Sequence, residues 1–178
     1  LVAMEPPDTY SADAVRDEKL KVLKALQPIN DTNADERTVR GQYRALRSDT
    51  THVPSYVEEV GTERSATETF VAIKAEVANW RWAGVPFVIK AGKALDERKV
   101  EVRIRFNAVA GAVKSVSRCA PNELIVRVQP DESIYWKVQS KAPGLDFHIE
   151  QQRMDLMYNK DRKREMPEAY ERLILEVL

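Results

Sequence analysis

Val100-Glu-Val-Arg-Ile-Arg-Phe106 decides the fold class. Apolar side chains at Val100, Val102, Ile104 and Phe106 alternate with Glu101, Arg103 and Arg105. A period of two marks a strand with two unlike faces and not a helix. The pattern recurs on either side. Residues 67–77 set Val71, Ile73, Ala75 and Val77 on one face. Residues 123–129 oppose Leu124, Val126 and Val128 to Arg127 and Gln129, and residues 134–139 oppose Ile134, Trp136 and Val138 to Tyr135, Lys137 and Gln139. Residues 154–158 alternate likewise, with Asp155 and Met157 on the second face. Such short alternating runs predict a mainly antiparallel sheet with its apolar face buried and its second face open.

Helical signals flank the strands, so the class is α+β. Ser11 is a good N-cap for a helix over 12–26, with Asp13 in its first turn, an apolar stripe of Val15, Val22, Leu23 and Leu26, and Pro28 beyond it. Pro167 starts a second amphipathic pattern, with Tyr170, Leu173, Ile174, Val177 and Leu178 at helical spacing. Residues 27–66 are polar and broken by Gly41, Pro54 and Gly61, which predicts a long surface loop.

The 178 residues are 43% hydrophobic, which excludes compositional disorder and suits one domain or two very small ones. Basic and acidic residues balance at 28 each, so there is no global electrostatic case for a nucleic-acid or membrane partner. The balance is a cancellation between segments: residues 1–36 carry 4 basic and 8 acidic side chains, whereas residues 77–142 carry 12 and 6. No two glycines lie within three residues of each other, which excludes a G-x-G-x-x-G fingerprint. Gly92-Lys93 is not a P-loop, because Phe87 stands at the first glycine position and Ala94 at the Ser/Thr position. The single cysteine, Cys119, excludes an intramolecular disulfide and fits a reducing compartment; with no basic n-region and no long apolar run, a cytoplasmic, soluble chain is expected. Because it begins on Leu1 and ends on Leu178 inside a helical pattern, it is expected to be a piece of a longer protein, cut at both ends.

The second strand face gathers Arg103, Arg105, Arg127 and Lys137 with Tyr135 if the strands are neighbours. Two readings fit: a solvated sheet face, or an anion site in which arginine forks grip phosphate and Tyr135 stacks on a base. The basic stretch 90–99 reads either as a charged turn or as a rim on which Gly92 lets the backbone turn or approach a ligand, presenting Lys93. Trp80 and Trp82, two residues apart on one expected strand face, read as packing or interface anchors. His52 and His148 have no metal-ligand spacing with each other or with Cys119, and no nucleophile elbow is present. The residues alone therefore specify a fold class and a basic face, and no reaction.

Asn79-Trp-Arg-Trp-Ala-Gly-Val-Pro-Phe87, Lys90-Ala-Gly-Lys-Ala-Leu95, Asn122-Glu-Leu-Ile-Val-Arg-Val-Gln-Pro130 and Pro167-Glu-Ala-Tyr-Glu-Arg-Leu-Ile-Leu175 resemble the glucose-6-phosphate dehydrogenases, over essentially the whole chain. The resemblance implies that residues 1–178 are part of that family's C-terminal domain, whose large antiparallel sheet carries the dimer interface, without the N-terminal Rossmann domain. It implies oxidation of glucose 6-phosphate to 6-phosphogluconolactone with NADP+, the first step of the pentose phosphate pathway, by an aspartate–histidine pair outside this chain. No residue here is thus assigned as catalytic base or metal ligand, and the chain alone is expected to be inactive. By the same resemblance Lys93, Arg98 and Gln129 match substrate contacts, and Lys90, Lys99, Arg103, Arg127, Tyr135, Lys137, Asp155 and Met157 match a structural NADP+ site. Six of these eight are the second-face residues found by alternation. Lys90 departs from the arginine common in the family, Trp136 replaces a smaller residue, and the family residues that complete the nucleotide site lie beyond Leu178. The partners implied are glucose 6-phosphate and further copies of the chain, as dimer or tetramer through the sheet, with neither nucleic acid nor membrane. The alternatives are a dimerising nucleotide-binding module without catalysis, and a β-sheet nucleic-acid binder, for which Tyr135 is the only aromatic on the second face.

Overall fold

Ser11 caps the first helix, α1 (Ala12–Lys24), by accepting a hydrogen bond from the Ala14 amide at 3.2 Å. The helix ends at Ala25, short of the expected limit, and the chain there joins a strand instead of continuing the turn: Gln27 N donates to Glu76 O at 2.9 Å and Ala78 N to Ala25 O at 2.7 Å. The computed structural model describes residues 1–47, 52–108, 120–157, 171 and 174. Cys119 and nearly all of the helix expected from Pro167 lie outside them.

The segment expected to be a loop contains short elements. Helix α2 (Ala34–Arg37) leads into β1 (Thr38–Gly41), and β2 (Leu46–Arg47) pairs with β3 (His52–Val53). Helix α3 (Tyr56–Val60) is closed by a Ser55–Glu58 capping box at one end and by Gly61, in the left-handed region at φ 70°, at the other. These strands are too short to show alternation, and β1 is defined by what it pairs with. Its partner is β4 (Phe70–Glu76), which pairs on its other side with β5 (Pro86–Gly92), giving an antiparallel sheet in the order β1-β4-β5. The Trp80–Trp82 segment is a turn and not a strand: the Trp82 amide donates to Asn79 Oδ1 at 2.9 Å. Trp82 packs edge-on to Phe87, 5.1 Å between ring centres, and its Nε1 donates to Ala3 O at 2.8 Å, whereas Trp80 is fully exposed.

Strands β6 (Val100–Arg105), β7 (Glu123–Gln129), β8 (Ser133–Lys141) and β9 (Ile149–Met157) form an antiparallel meander in the order β6-β7-β8-β9. All strand pairs among the described residues are antiparallel, in agreement with the expected class. The chain divides into two units, residues 1–95 with α1 to β5 and residues 96–178 with the meander. No helix among the described residues is long and apolar enough to cross a membrane.

Burial in the meander is not confined to the apolar face that alternation predicts. The completely buried side chain is Ile125, which register places on the charged face between Arg103 of β6 and Tyr135 of β8. Ser133 and Tyr135, on the same face, are also buried. The apolar face is less covered: Met154 and Leu156 are more than half exposed, and Phe106 and Trp136 stack at 5.5 Å and 14° while both remain partly open. Arginine and lysine carry long aliphatic stems, so a face they dominate in sequence can still shield an apolar side chain beneath them.

Candidate functional site

Register in the meander gives each second-face residue its neighbours. Residues paired directly across an antiparallel ladder share a face, so Arg103↔Ile125↔Tyr135↔Asp155 form one row, Arg105↔Glu123↔Lys137↔Arg153 the next, and Arg127↔Ser133↔Met157 the row on the other side. Arg103, Arg127, Tyr135, Lys137, Asp155 and Met157 are therefore on one face, as alternation predicts. Lys99 joins them at the start of β6, within ion-pair distance of Glu101. Lys90 lies on β5, in the other unit, opposite Ala72. Of the residues matched to substrate, Lys93 follows β5, Arg98 precedes β6 and Gln129 ends β7 opposite Val100; Lys93 falls in the first unit and the other two in the second.

Alternation placed Glu101 on this face without assigning it a part. In the structure two carboxylates hold the cations together. Glu101 Oε1 accepts a hydrogen bond from Arg103 Nη2 at 2.9 Å and lies 3.9 Å from Lys99 Nζ, while its Oε2 is 3.6 Å from Arg127 Nη2. Glu123 Oε2 accepts from Arg103 Nη1 at 3.1 Å and lies 3.9 Å from Lys137 Nζ. Glu97 takes the other side of Lys99 at 2.9 Å. The Glu101 and Glu123 side chains are only 14% and 18% exposed. Burial pushes the Glu101 carboxyl up, but the Arg103 hydrogen bond and the Lys99, Arg103 and Arg127 charges outweigh it and hold the group below the usual carboxylate range. A depressed folded value means that its stabilising contribution is present above the ordinary carboxylate range and fades as the pH falls through the lower folded value. The same hydrogen bond to Glu101 pushes the Arg103 guanidinium up.

Tyr135 differs from the base-stacking platform expected of it. Its ring is 5% exposed and the Arg153 guanidinium stands 4.0 Å above its centre. Arg153 is itself held by Asp155, with Nε donating to Oδ1 at 2.7 Å. An aromatic flanked by cations on a sheet is as well placed to hold an arginine as a base.

Lys93 is positioned by residues that carry no motif. Phe70 pairs with Gly41 of β1 on one side and Gly92 of β5 on the other. A Cβ on Gly92 would stand 2.8 Å from Phe70 Cδ2 and 3.3 Å from Thr69 O, whereas one on Gly41 would meet Phe70 at an ordinary 4.0 Å. Thr69 closes the arrangement: its amide donates to Gly41 O at 2.9 Å, its carbonyl accepts from the Lys93 amide at 2.8 Å, and its hydroxyl accepts from the Tyr43 amide at 2.9 Å. The glycine before Lys93 is thus required by contact with Phe70, and the residue in the left-handed region is Ala94, at φ 52°. Gly92→Val is expected to cost about 1–3 kcal/mol through overpacking, while Gly41→Ala changes stability by less than roughly 1 kcal/mol. Thermal melting of the two variants checks the contrast, and equal losses would contradict it.

Arg127 Nε is buried and has no hydrogen-bond partner among the described residues. The Nη2 of the same guanidinium lies 3.6 Å from Glu101 Oε2, which likewise accepts no hydrogen bond there. Two guanidinium groups and two ammonium groups make a donor set of the kind that fits a phosphate. Among the described residues no group of His, Cys, Asp and Glu is arranged to hold a metal ion.

The chain is thus an α+β chain of antiparallel sheets, one of which carries a basic face laced with carboxylates. Comparison with known proteins makes this specific. The chain belongs to the glucose-6-phosphate dehydrogenase C-terminal domain family, whose model matches residues 1–178. It is 47% identical over 186 residues to the glucose-6-phosphate 1-dehydrogenase of Zymomonas mobilis, covering 100% of this chain and 38% of that protein. It is 43% identical to the Dictyostelium discoideum enzyme of the same name, covering 99% of this chain and 35% of that one. A solved structure of a glucose-6-phosphate dehydrogenase in complex with its substrate glucose-6-phosphate matches 99% of this chain and 35% of its own, with a TM-score of 0.80 at 43% identity. The chain therefore spans little more than a third of the length of these relatives.

Proposed function

We propose that this chain is the part of an NADP-dependent glucose-6-phosphate dehydrogenase that supplies a substrate rim, a structural nucleotide site and a subunit interface. The observation that carries the reading is the register that brings Arg103, Arg127, Lys137 and their carboxylate partners onto one sheet face. In the whole enzyme, glucose 6-phosphate is oxidised to 6-phosphogluconolactone, with NADP+ as hydride acceptor, in the cytoplasm. Lys93, Arg98 and Gln129 meet the substrate, with Lys93 contributing a mobile point charge to the sugar phosphate from a backbone fixed at Thr69 and Phe70. A second NADP+ is held by Arg103 and Arg127 with Lys99 and Lys137, supported by Tyr135, Asp155 and Met157. The partly open apolar face of the meander, with Phe106, Trp136, Met154 and Leu156, suits contact with a second copy of the chain. None of these residues is the base that takes the sugar's proton, and that group lies outside the 178 residues.

The reading is tested by two measurements on one preparation. Calorimetric titration with NADP+ is expected to give saturable heat, while a mixture of the chain with glucose 6-phosphate and NADP+ gives no rise in reduced-nicotinamide absorbance. Absence of heat would sink the nucleotide face, and turnover would overturn the placement of the base.

A further inference from the structure

We propose that Glu101 and Glu123 are specificity-determining residues of the basic face: they limit its net charge, so that it takes a compact dinucleotide and turns away extended polyanions. The inference rests on the nucleotide reading given above. A face that binds phosphate through Lys99, Arg103, Arg127 and Lys137 alone carries four positive charges, enough to collect any polyanion non-specifically. In the structure those four cations are joined with Glu97, Glu101 and Glu123 in one ion-pair network, which by itself leaves a single unit of positive charge, beside Arg105 and the Arg153–Asp155 pair on the same face. The carboxylates that reach the strand cations are not loose surface groups. Both are largely buried, they connect β6 to β7 and β7 to β8, and Glu101 remains ionised at neutral pH because three cations surround it. Fixed, half-buried charges are poorly screened by salt, whereas the diffuse attraction of a long polyanion is screened strongly. A compact dinucleotide gains instead from short directed contacts. The Arg103 fork is held in orientation by hydrogen bonds to both carboxylates, and Arg127 stands within ion-pair distance of Glu101.

The test compares the chain with its Glu101→Gln, Glu123→Gln and double variants. Gln keeps the shape and a carbonyl acceptor for Arg103 while removing the charge. Each protein is titrated with NADP+ and with a short oligothymidylate over a series of salt concentrations. At low salt, each substitution is expected to tighten oligothymidylate binding by roughly tenfold and to steepen its salt slope by roughly 0.7 for each further phosphate neutralised. NADP+ affinity rises by less than the oligothymidylate affinity does, because NADP+ brings fewer phosphates to the same face. Unchanged oligothymidylate affinity and slope in the double variant, with NADP+ bound as before, would overturn the proposal. So would a loss of NADP+ affinity with no gain for the oligonucleotide, since the carboxylates would then only position the arginines. If the unaltered chain binds no NADP+, the nucleotide reading fails by itself, and the oligothymidylate series still decides whether the carboxylates limit the charge. Glu123→Gln, which touches two cations where Glu101→Gln touches three, keeps the comparison open should the latter fold poorly.

Discussion

Ile125→Ala lowers the stability of the meander by about 2–5 kcal/mol, the cost of a cavity where no side-chain surface is exposed. Leu156→Ala, on the apolar face, removes a side chain that is already 58% exposed and costs less than roughly 1 kcal/mol. Urea unfolding followed by far-ultraviolet circular dichroism measures both. The contrast decides which face contains the core of residues 96–178. By hydrophobic pattern it is the face of Val102, Val126 and Ile134; by burial it is the face on which Ile125 and Tyr135 lie under arginine. If Leu156→Ala proves as costly as Ile125→Ala, the core is on the patterned face and the arginine-covered face is not its centre.

Arg103→Ala together with Arg127→Ala weakens NADP+ binding by at least about a hundredfold, because a charge-assisted hydrogen bond contributes roughly 1.5–3 kcal/mol and both forks are lost. Removing Arg103 also deprives Glu101 and Glu123 of their shortest partner. A drop in affinity by itself therefore does not separate contact from collapse, and Arg103→Lys supplies the control. It keeps the charge and much of the packing but not the planar fork. A contact role predicts an intermediate affinity, with the NADP+ salt slope kept and melting nearly unchanged. Unchanged titration heats in the double alanine variant would remove the arginines from the nucleotide site.

Alternation found the meander because its strands are long enough to show a period of two, and because each carries charge on one face. It therefore also found which of Arg103, Arg127, Tyr135, Lys137, Asp155 and Met157 are on the same side before any pairing was known. Two kinds of information escaped it. Strand β1 has four residues and β2 and β3 two each, so neither period nor composition separates them from a polar loop; their partners define them. Burial is likewise not a property of one strand. Ile125 is flanked on its own strand by residues of mixed polarity, and register sets Arg103 and Tyr135 beside it from the adjacent strands. The part played by Glu101 and Glu123 had no sequence signal beyond their signs, since a carboxylate beside an arginine in sequence reads equally as a solvated pair. Gly92 is legible as a glycine with a purpose, a turn or a close approach to a ligand, whereas the Phe70 ring that requires it comes from a different strand.

The indoles of Trp80, Trp82 and Trp136 are in three different settings: one fully in water, one edge-on to Phe87 with its N–H bonded to Ala3, and one stacked on Phe106. Emission from the chain is therefore expected to be a sum of contributions from three different surroundings. A soluble collisional quencher reaches Trp80 first and removes its red-shifted light. What remains divides between residues 1–95 through Trp82 and residues 96–178 through Trp136, so each unit contains its own optical gauge and loss of order in one is visible apart from the other without any label.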